Sequence, residues 1–284
     1  MHVVLATCAE WPDLSVSDRC LADELEQRGH EVRALAWNAA PVEQFAAADM
    51  IVLRSNWDYH HDLDGFREWL TAVEDSPAVL HNSADLVRAF LDKSYLVRLD
   101  EQGIRVPRTL VTTDFELDVA EAWLDDYGFD RVVIKPAWGA SGHDVELVSQ
   151  QQLPEAAARW RQSKDRRPML VQEFMPQIRS GELSLVFFGG AFSHALIKVP
   201  AADDFRVNGK HGGATELHPT VDPAVVEFAT RVEASLPEPA TYARIDVVSD
   251  GSEHIVIEVE VNEPAIGLHL APGSAARFAD ALLG

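Results

Sequence analysis

The chain has 284 residues, 47% hydrophobic and 25% charged, with a formal net charge of −22. That length supports two or three compact units and a large core, while the acidity argues against nucleic acid or an anionic membrane as a partner, since phosphate contacts need a basic footprint. No apolar run reaches spanning length and no basic–hydrophobic leader opens the chain, so a cytoplasmic location is expected; Cys8 and Cys20, the only cysteines, make neither a disulfide framework nor a zinc site.

Residues 2–7 read as a short apolar strand, and Ser17–Arg28 as an amphipathic helix closed by Gly29. Val32–Ala36 and Met50–Arg54 are further strands, followed by a helix over Leu63–Glu74 and a short strand near Ala78–His81. This alternation predicts a parallel, Rossmann-like sheet over roughly residues 1–85. No GxGxxG follows the first strand, which argues against a dinucleotide. Ligands of such sheets gather beyond the carboxyl ends of the strands. The end of the third strand, Arg54-Ser55-Asn56-Trp57-Asp58-Tyr59-His60-His61, is dense in hydrogen-bonding and aromatic groups. As a group it suggests a substrate pocket, although a helix-capping loop explains any one residue equally well.

The next stretch gives a helix containing Asp92 and Lys93, a strand at Thr109–Val111, a helix at Glu116–Asp126 and a strand at Arg131–Lys135. A glycine-rich loop, Trp138–His143, leads to a strand at Val145–Val148, a helix at Leu153–Ser163 and a strand at Met169–Glu173. Strands at Leu183–Phe188 and Phe192–Lys198, a loop at Gly209–Gly213 and a helix at Pro223–Ser235 precede a final hairpin and a C-terminal helix.

That hairpin carries the most chemistry. Ile255, Ile257, Val259 and Val261 alternate with Val256, Glu258, Glu260 and Asn262, the period of a strand with one core face. Upstream, Ile245 and Val247 alternate with Arg244 and Asp246. Asp246, Glu260 and Asn262 would offer hard oxygen ligands suited to Mg²⁺, with Glu258 orienting them from behind. Residues directly opposed on paired strands share a face, so this requires a loop of three or five residues within Val248–His254 rather than a two-residue Asp250-Gly251 turn. The alternative is an edge hairpin with a solvated acidic face.

Lys135 ends a strand before Gly139, Ser141 and Gly142, small residues that let backbone N–H groups approach phosphate. Lys93, Lys198 and Arg206 are further cations near element ends, and no GxxxxGK[ST] motif is present. In their joint order these segments resemble the ATP-grasp superfamily, especially its smaller carboxylate–amine ligases such as glutathione synthetase. The run Asp92-Lys93 resembles the first nucleotide lysine, and Val133-Ile-Lys-Pro136 with its loop resembles the second lysine and phosphate lid. Val171-Gln-Glu-Phe-Met-Pro176 resembles the hinge that holds adenine and ribose, and Ser180-Gly-Glu182 the acidic segment after it. Asp204-Phe-Arg-Val-Asn208 is similar to the arginine loop, and Arg244-x-Asp246 and Glu260-x-Asn262 to the metal-binding strands.

The resemblance implies an α/β and α+β chain with the ATP-grasp fold: a Rossmann-like N-terminal domain (1–85) followed by two α+β lobes, 86–170 and 171–284, clamping ATP. It implies ATP bound by Lys93, Lys135, Gly139, Ser141, Gly142, Gln172, Glu173, Phe174, Glu182, Lys198 and Arg206. Mg²⁺ would be held as two ions by Asp246, Glu260 and Asn262, with Mn²⁺ as a substitute, and Arg244, Lys198 and Arg206 would be catalytic. A substrate carboxylate would become an acyl phosphate and then meet an amine. Arg54, Asn56, Trp57, Tyr59 and Gly267 are the expected substrate contacts. The run Arg54–Tyr59 also resembles small antibiotic-pathway ligases, among them the O-ureidoserine cyclo-ligase that closes the cycloserine ring. Addition of an amino acid to a peptide or carrier terminus, and a nucleotide-binding regulator without catalysis, are the alternatives. A small-molecule partner fits a −22 chain better than an acidic carrier does, and the resemblance admits a homodimer.

Overall fold

A computed structural model describes residues 1–162, 167–249, 251 and 253–284. Three sheets succeed one another along the chain. The first is parallel, built from β1 (His2–Thr7), β2 (Glu31–Ala36), β3 (Met50–Leu53) and β4 (Val79–His81) in the order β2-β1-β3-β4. Its crossovers are helices whose starts are set by short polar side chains. Ser15 accepts from the Asp18 backbone N–H at the head of Val16–Gln27, and Asp62 accepts from Gly65 at the head of Leu63–Glu74. The Rossmann-like expectation is met.

The second sheet is antiparallel, with order β5-β8-β6-β7, from β5 (Thr109–Thr112), β6 (Arg131–Pro136), β7 (Glu146–Ser149) and β8 (Met169–Glu173). Helices Leu117–Tyr127 and Leu153–Gln162 cover it through Leu124, Leu153, Ala156 and Ala157, which are buried with Val132, Ile134 and Val171. The expected end of the second helix at Ser163 lies outside the described residues.

The third sheet has order β11-β10-β9-β12-β13, from β9 (Glu182–Phe188), β10 (Ala191–Val199), β11 (Ala214–Leu217), β12 (Tyr242–Ser249) and β13 (His254–Glu260). Sequence reasoning missed β11, whose Ala-Thr-Glu-Leu run is short and mostly exposed, so no apolar alternation marks it. Helices Ala84–Leu91 and Tyr95–Glu101 pack on this third sheet, where Leu86, Tyr95 and Leu99 share a core with Leu185, Ile245 and Val259. The first and third sheets are joined by Tyr242, whose hydroxyl lies 3.1 Å from both the Leu53 and the His81 carbonyl as their shared donor. Phe278 of helix Ser274–Leu283 stacks on Phe188 at 4.6 Å in the same seam. Among the described residues no helix is long and apolar enough to cross a membrane.

Two local expectations are corrected. Asp92 and Lys93 do not sit inside a helix: they form the break between Ala84–Leu91 and Tyr95–Glu101, with Asp92 extended and the Lys93 N–H bonded to the Ala137 carbonyl at 2.7 Å. The hairpin loop is not odd either. Ser249 pairs with His254, leaving four residues between them, of which Asp250 and Ser252 lie outside the described residues. Parity is restored by a β-bulge: Val247 pairs with Val256 but Asp246 pairs with Glu258, so Ile257 is the extra residue. The inference that Asp246 and Glu258 share a face was sound, and only the device that achieves it was misread.

Candidate active site

The second and third sheets and their loops supply the walls of one cleft enclosing about 970 Å³ of empty space, open solvent included. Its floor is the β12–β13 pair. Arg244 and Asp246 project from β12, Glu258 and Glu260 from β13, with Arg244 opposite Glu260 and Asp246 opposite Glu258. From β10 comes Lys198 and from β9 Glu182, the two being directly paired. Because the bulge interrupts alternation at Ile257, that side chain lines the cleft rather than the core face expected for it.

These charges are tightly cross-linked. Arg244 Nε donates to Asp246 Oδ1 at 2.9 Å and its Nη2 to Asp246 Oδ2 at 2.9 Å, while a second Nη2 contact reaches Glu260. Lys198 Nζ donates to Asp246 Oδ2 at 3.0 Å and to Glu182 Oε1 at 3.3 Å, and Ser184 Oγ to Asp246 Oδ1 at 2.6 Å. Burial opposes ionisation of Asp246, but Arg244 and Lys198 outweigh it and its pKa falls. Glu260 and Glu182 go the other way: burial, reinforced by neighbouring carboxylates, lifts each to about 7. Lys93 pairs with Glu258, whose attraction outweighs the burial penalty and raises the lysine's pKa. Among the described residues Lys135 has no such direct partner, and burial pulls it down to about 8.

Carboxylate oxygens of Asp246, Glu258 and Glu260 lie within 4.8 Å of one another. Three hard oxygen donors crowded at that separation suit a divalent cation, which would relieve both their mutual repulsion and the suppressed ionisation of Glu260. The donor set therefore fits Mg²⁺. Asp246 and Glu260 of the expected set are in it. Glu258 is part of the carboxylate group itself, whereas Asn262 stands beyond the end of β13, its Oδ1 accepting from Asn56 Nδ2 at 3.0 Å and its Nδ2 enclosed without a partner.

The upper wall is the glycine-rich loop after β6, with Gly139, Ser141 and Gly142 all on the cleft. Gly142 has φ +68°, and a Cβ there would lie 2.8 Å from Asn208 Oδ1, so the loop meets the 204–213 segment at a point only glycine allows. Arg167 anchors the loop from behind, donating to the Trp138 carbonyl at 3.1 Å and to Asp144 at 3.1 Å. Nothing local in the sequence marked Arg167. On the 204–213 segment Arg206 is held in place by Asp204, with Nη2 to Oδ2 at 2.8 Å. One end of the cleft is apolar, lined by Val133, Phe174, Met175, Ile178 and Ile257, and Phe205 meets Phe174 edge-on at 6.0 Å. There Glu173 accepts from the Arg108 N–H at 3.1 Å, and Gln172 Nε2 donates to Thr109 Oγ1 at 2.9 Å.

All the residues expected at the nucleotide thus line one cleft, together with Arg244, Asp246 and Glu260. The expected substrate contacts do not. Arg54 is 1% exposed and fully engaged, pairing with Asp18 at 2.8 Å and donating to the Pro264 carbonyl at 2.8 Å, so it ties the first sheet to the C-terminal segment and cannot meet a ligand. Tyr59 packs its ring in the first sheet's core against Phe66. Gly267 lies against Leu196, where a Cβ would approach to 2.8 Å. Asn56 is buried on Asn262, and Trp57, half-buried, donates its indole N–H to the Glu263 carbonyl at 3.1 Å.

Comparison with known proteins agrees with this geometry. Residues 96–269 match the ATP-grasp domain of prokaryotic glutathione synthetase, and residues 3–82 match the N-terminal domain of the D-cycloserine synthetase DcsG. The cycloserine biosynthesis protein DcsG of Streptomyces lavendulae is 30% identical over 268 residues, 87% of this chain and 86% of that one. A glutathione synthetase of Bradyrhizobium diazoefficiens is 29% identical over 190 residues, 63% of this chain and 58% of its own length. In three dimensions the crystal structure of D-cycloserine synthetase DcsG superposes with a TM-score of 0.87 at 22% identity, covering 99% of this chain and 98% of that one. A D-alanine–D-alanine ligase from Bacillus anthracis gives 0.70 at 16% identity, covering 99% and 95%.

Proposed function

This chain belongs to the ATP-grasp family of ATP-dependent carboxylate–amine ligases, and from that premise we propose that it activates a small amino-acid-like carboxylate and closes it onto a nitrogen of the same molecule. The enzyme is an ADP-forming carbon–nitrogen ligase. The observation that carries the site assignment is a single cleft in which Lys93, Lys135, Lys198 and Arg206 face Asp246, Glu258 and Glu260. Phosphoryl transfer needs positioning and charge neutralisation more than covalent catalysis, and these residues supply both.

In this reading the apolar end between Val133, Phe174 and Ile257 takes the adenine, and the backbone of Gly139, Ser141 and Gly142 covers the phosphates together with Lys93 and Lys135. Asp246, Glu258 and Glu260 would hold Mg²⁺, with the Asn262 amide as a further oxygen donor; the ion would supply charge neutralisation for the phosphates. A substrate carboxylate oxygen attacks the γ-phosphorus of ATP, the bond to the β–γ bridging oxygen breaks, and ADP departs from an acyl phosphate. The substrate nitrogen then attacks the acyl carbon, its proton leaves with the phosphate, and the amide forms. Arg244, held in place by Asp246 and Glu260, is positioned to stabilise the tetrahedral oxyanion. Losing such a donor costs about 3–4 kcal/mol in the transition state.

Intramolecular ring closure is favoured by the match of residues 3–82 to the N-terminal domain of a cycloserine synthetase and by 30% identity to the cycloserine biosynthesis protein over 87% of this chain. An ATP-consuming reaction on a small molecule also suits the cytoplasm. The test is ADP and phosphate release with Mg-ATP against amino-acid-like carboxylates, each with and without a separate amine. Release that needs one compound only, with a product one water lighter than it, supports the cyclo-ligase. Release that needs both compounds replaces it with an ordinary two-substrate ligase.

A further inference from the structure

We infer that Glu263 is the recognition point for the substrate's ammonium group, a role that rests on the amino-acid-like substrate proposed above. Glu263 is 7% exposed, yet among the described residues its carboxylate accepts no hydrogen bond and joins no ion pair. The acidic side chains lining the cleft are all engaged: Asp246 by Arg244 and Lys198, Glu182 by Lys198, Glu258 by Lys93, Glu260 by Arg244, and Glu173 by Arg105. A carboxylate withdrawn from water without a partner is costly to keep charged, and a cation arriving from outside relieves that cost. Glu263 stands outside the group of three carboxylates that fits a metal ion. An ammonium group is the remaining cation that an amino-acid-like substrate brings.

The surroundings are built for this. The Glu263 backbone is clamped from the first sheet, its own carbonyl by the Trp57 indole at 3.1 Å and the Pro264 carbonyl by Arg54 at 2.8 Å, so the side chain is presented from a fixed segment. An ammonium carries three donors and no acceptor, and both oxygens of the Glu263 carboxylate accept. Trp57 and Trp11, edge to face at 5.6 Å, stand beside the same segment. The arrangement has a chemical consequence. A nitrogen held as an ammonium on Glu263 has no free lone pair, so it cannot attack the acyl phosphate, and the new bond must form on a different nitrogen of the substrate.

Calorimetry on the full chain loaded with Mg-AMPPNP tests this with two probes: O-ureidoserine, and 3-ureidooxypropanoate, which lacks only the ammonium. The wild type should prefer the first. Glu263→Gln should weaken its binding about 10- to 100-fold, the span of a hydrogen bond to a charged group, and leave the second probe unchanged. AMPPNP affinity within about threefold of wild type would show that the variant is folded, and Glu263→Asp, which keeps the charge, should recover part of the preference. Equal binding of both probes by the wild type, or an undiminished preference in Glu263→Gln, overturns the inference and leaves the ligase reading intact. Wild-type protein that takes up AMPPNP but neither probe overturns the proposed substrate class, and the inference with it.

Discussion

At the scale of single residues the site is legible wherever a charge has to be matched by a charge. Lys93, Lys135, Lys198 and Arg206 stand out because an acidic chain has few cations to place, and all four line the cleft. Lys135, held near 8 by burial, makes a pH prediction. Below that value it is already protonated in the free protein, and above it nucleotide binding must restore the proton. AMPPNP titrated at pH 8.5 in buffers of different ionisation enthalpy should therefore show proton uptake, with apparent affinity falling as pH rises, up to about tenfold per unit; uptake that persists at pH 6.5 would assign it to another group. Glu258 was expected to orient ligands from behind, whereas its carboxylate lies with those of Asp246 and Glu260, since period alone cannot say which of three aligned carboxylates converge. Glu258→Gln is accordingly expected to cut kcat as severely as Asp246→Asn, by about 100-fold or more. Arg54 was misread for the opposite reason: the sequence shows a cation at a strand end but not the buried Asp18 that meets it. Arg54→Met leaves Asp18 buried and unpaired, and should lower unfolding stability by about 3–5 kcal/mol, read by denaturant titration.

Among elements, strands and helices with clear periodicity were readable, and Leu63–Glu74 and Met169–Glu173 fall where the pattern put them. The failures are places where an interruption carries the function. The break at Asp92–Lys93 delivers a lysine to the cleft, and nothing in the local helix propensity announces it. The bulge at Ile257 brings an apolar side chain and a carboxylate onto one side of β13, and a single extra residue on a strand leaves no compositional trace. Gly142 is the corresponding point in the lid. With φ +68° and Asn208 in the way of any Cβ, Gly142→Ala should keep the loop from seating on the 204–213 segment. The expected outcome is a fall in kcat/KM for ATP of about 10- to 100-fold with the melting temperature nearly unchanged, measured by ADP release and thermal unfolding.

For the whole molecule, the second and third sheets meet at one cleft, and two of its walls are loops joined to different sheets. The loop 137–143 follows β6 of the second sheet, and the 204–213 segment follows β10 of the third. Closure over nucleotide should protect both, so limited proteolysis with Mg-AMPPNP should cut each more slowly than without it; equal rates would remove the lid from the account. Helices Ala84–Leu91 and Tyr95–Glu101, expected with the second unit, pack on the third sheet instead, because Leu86, Tyr95 and Leu99 find their apolar partners there. Long-range packing of that kind is invisible to a reading by period. The fold class was legible because motif order along the chain is a property of the whole sequence.

The central claim is that a substrate carboxylate is activated by ATP in this cleft. Its most direct measurement uses a substrate labelled with ¹⁸O in the carboxylate and follows the phosphate released under Mg-ATP turnover. Acyl phosphate formation transfers one labelled oxygen to each phosphate, and that is the predicted result. Unlabelled phosphate would mean that water, not the carboxylate, takes the phosphoryl group, and would contradict the account.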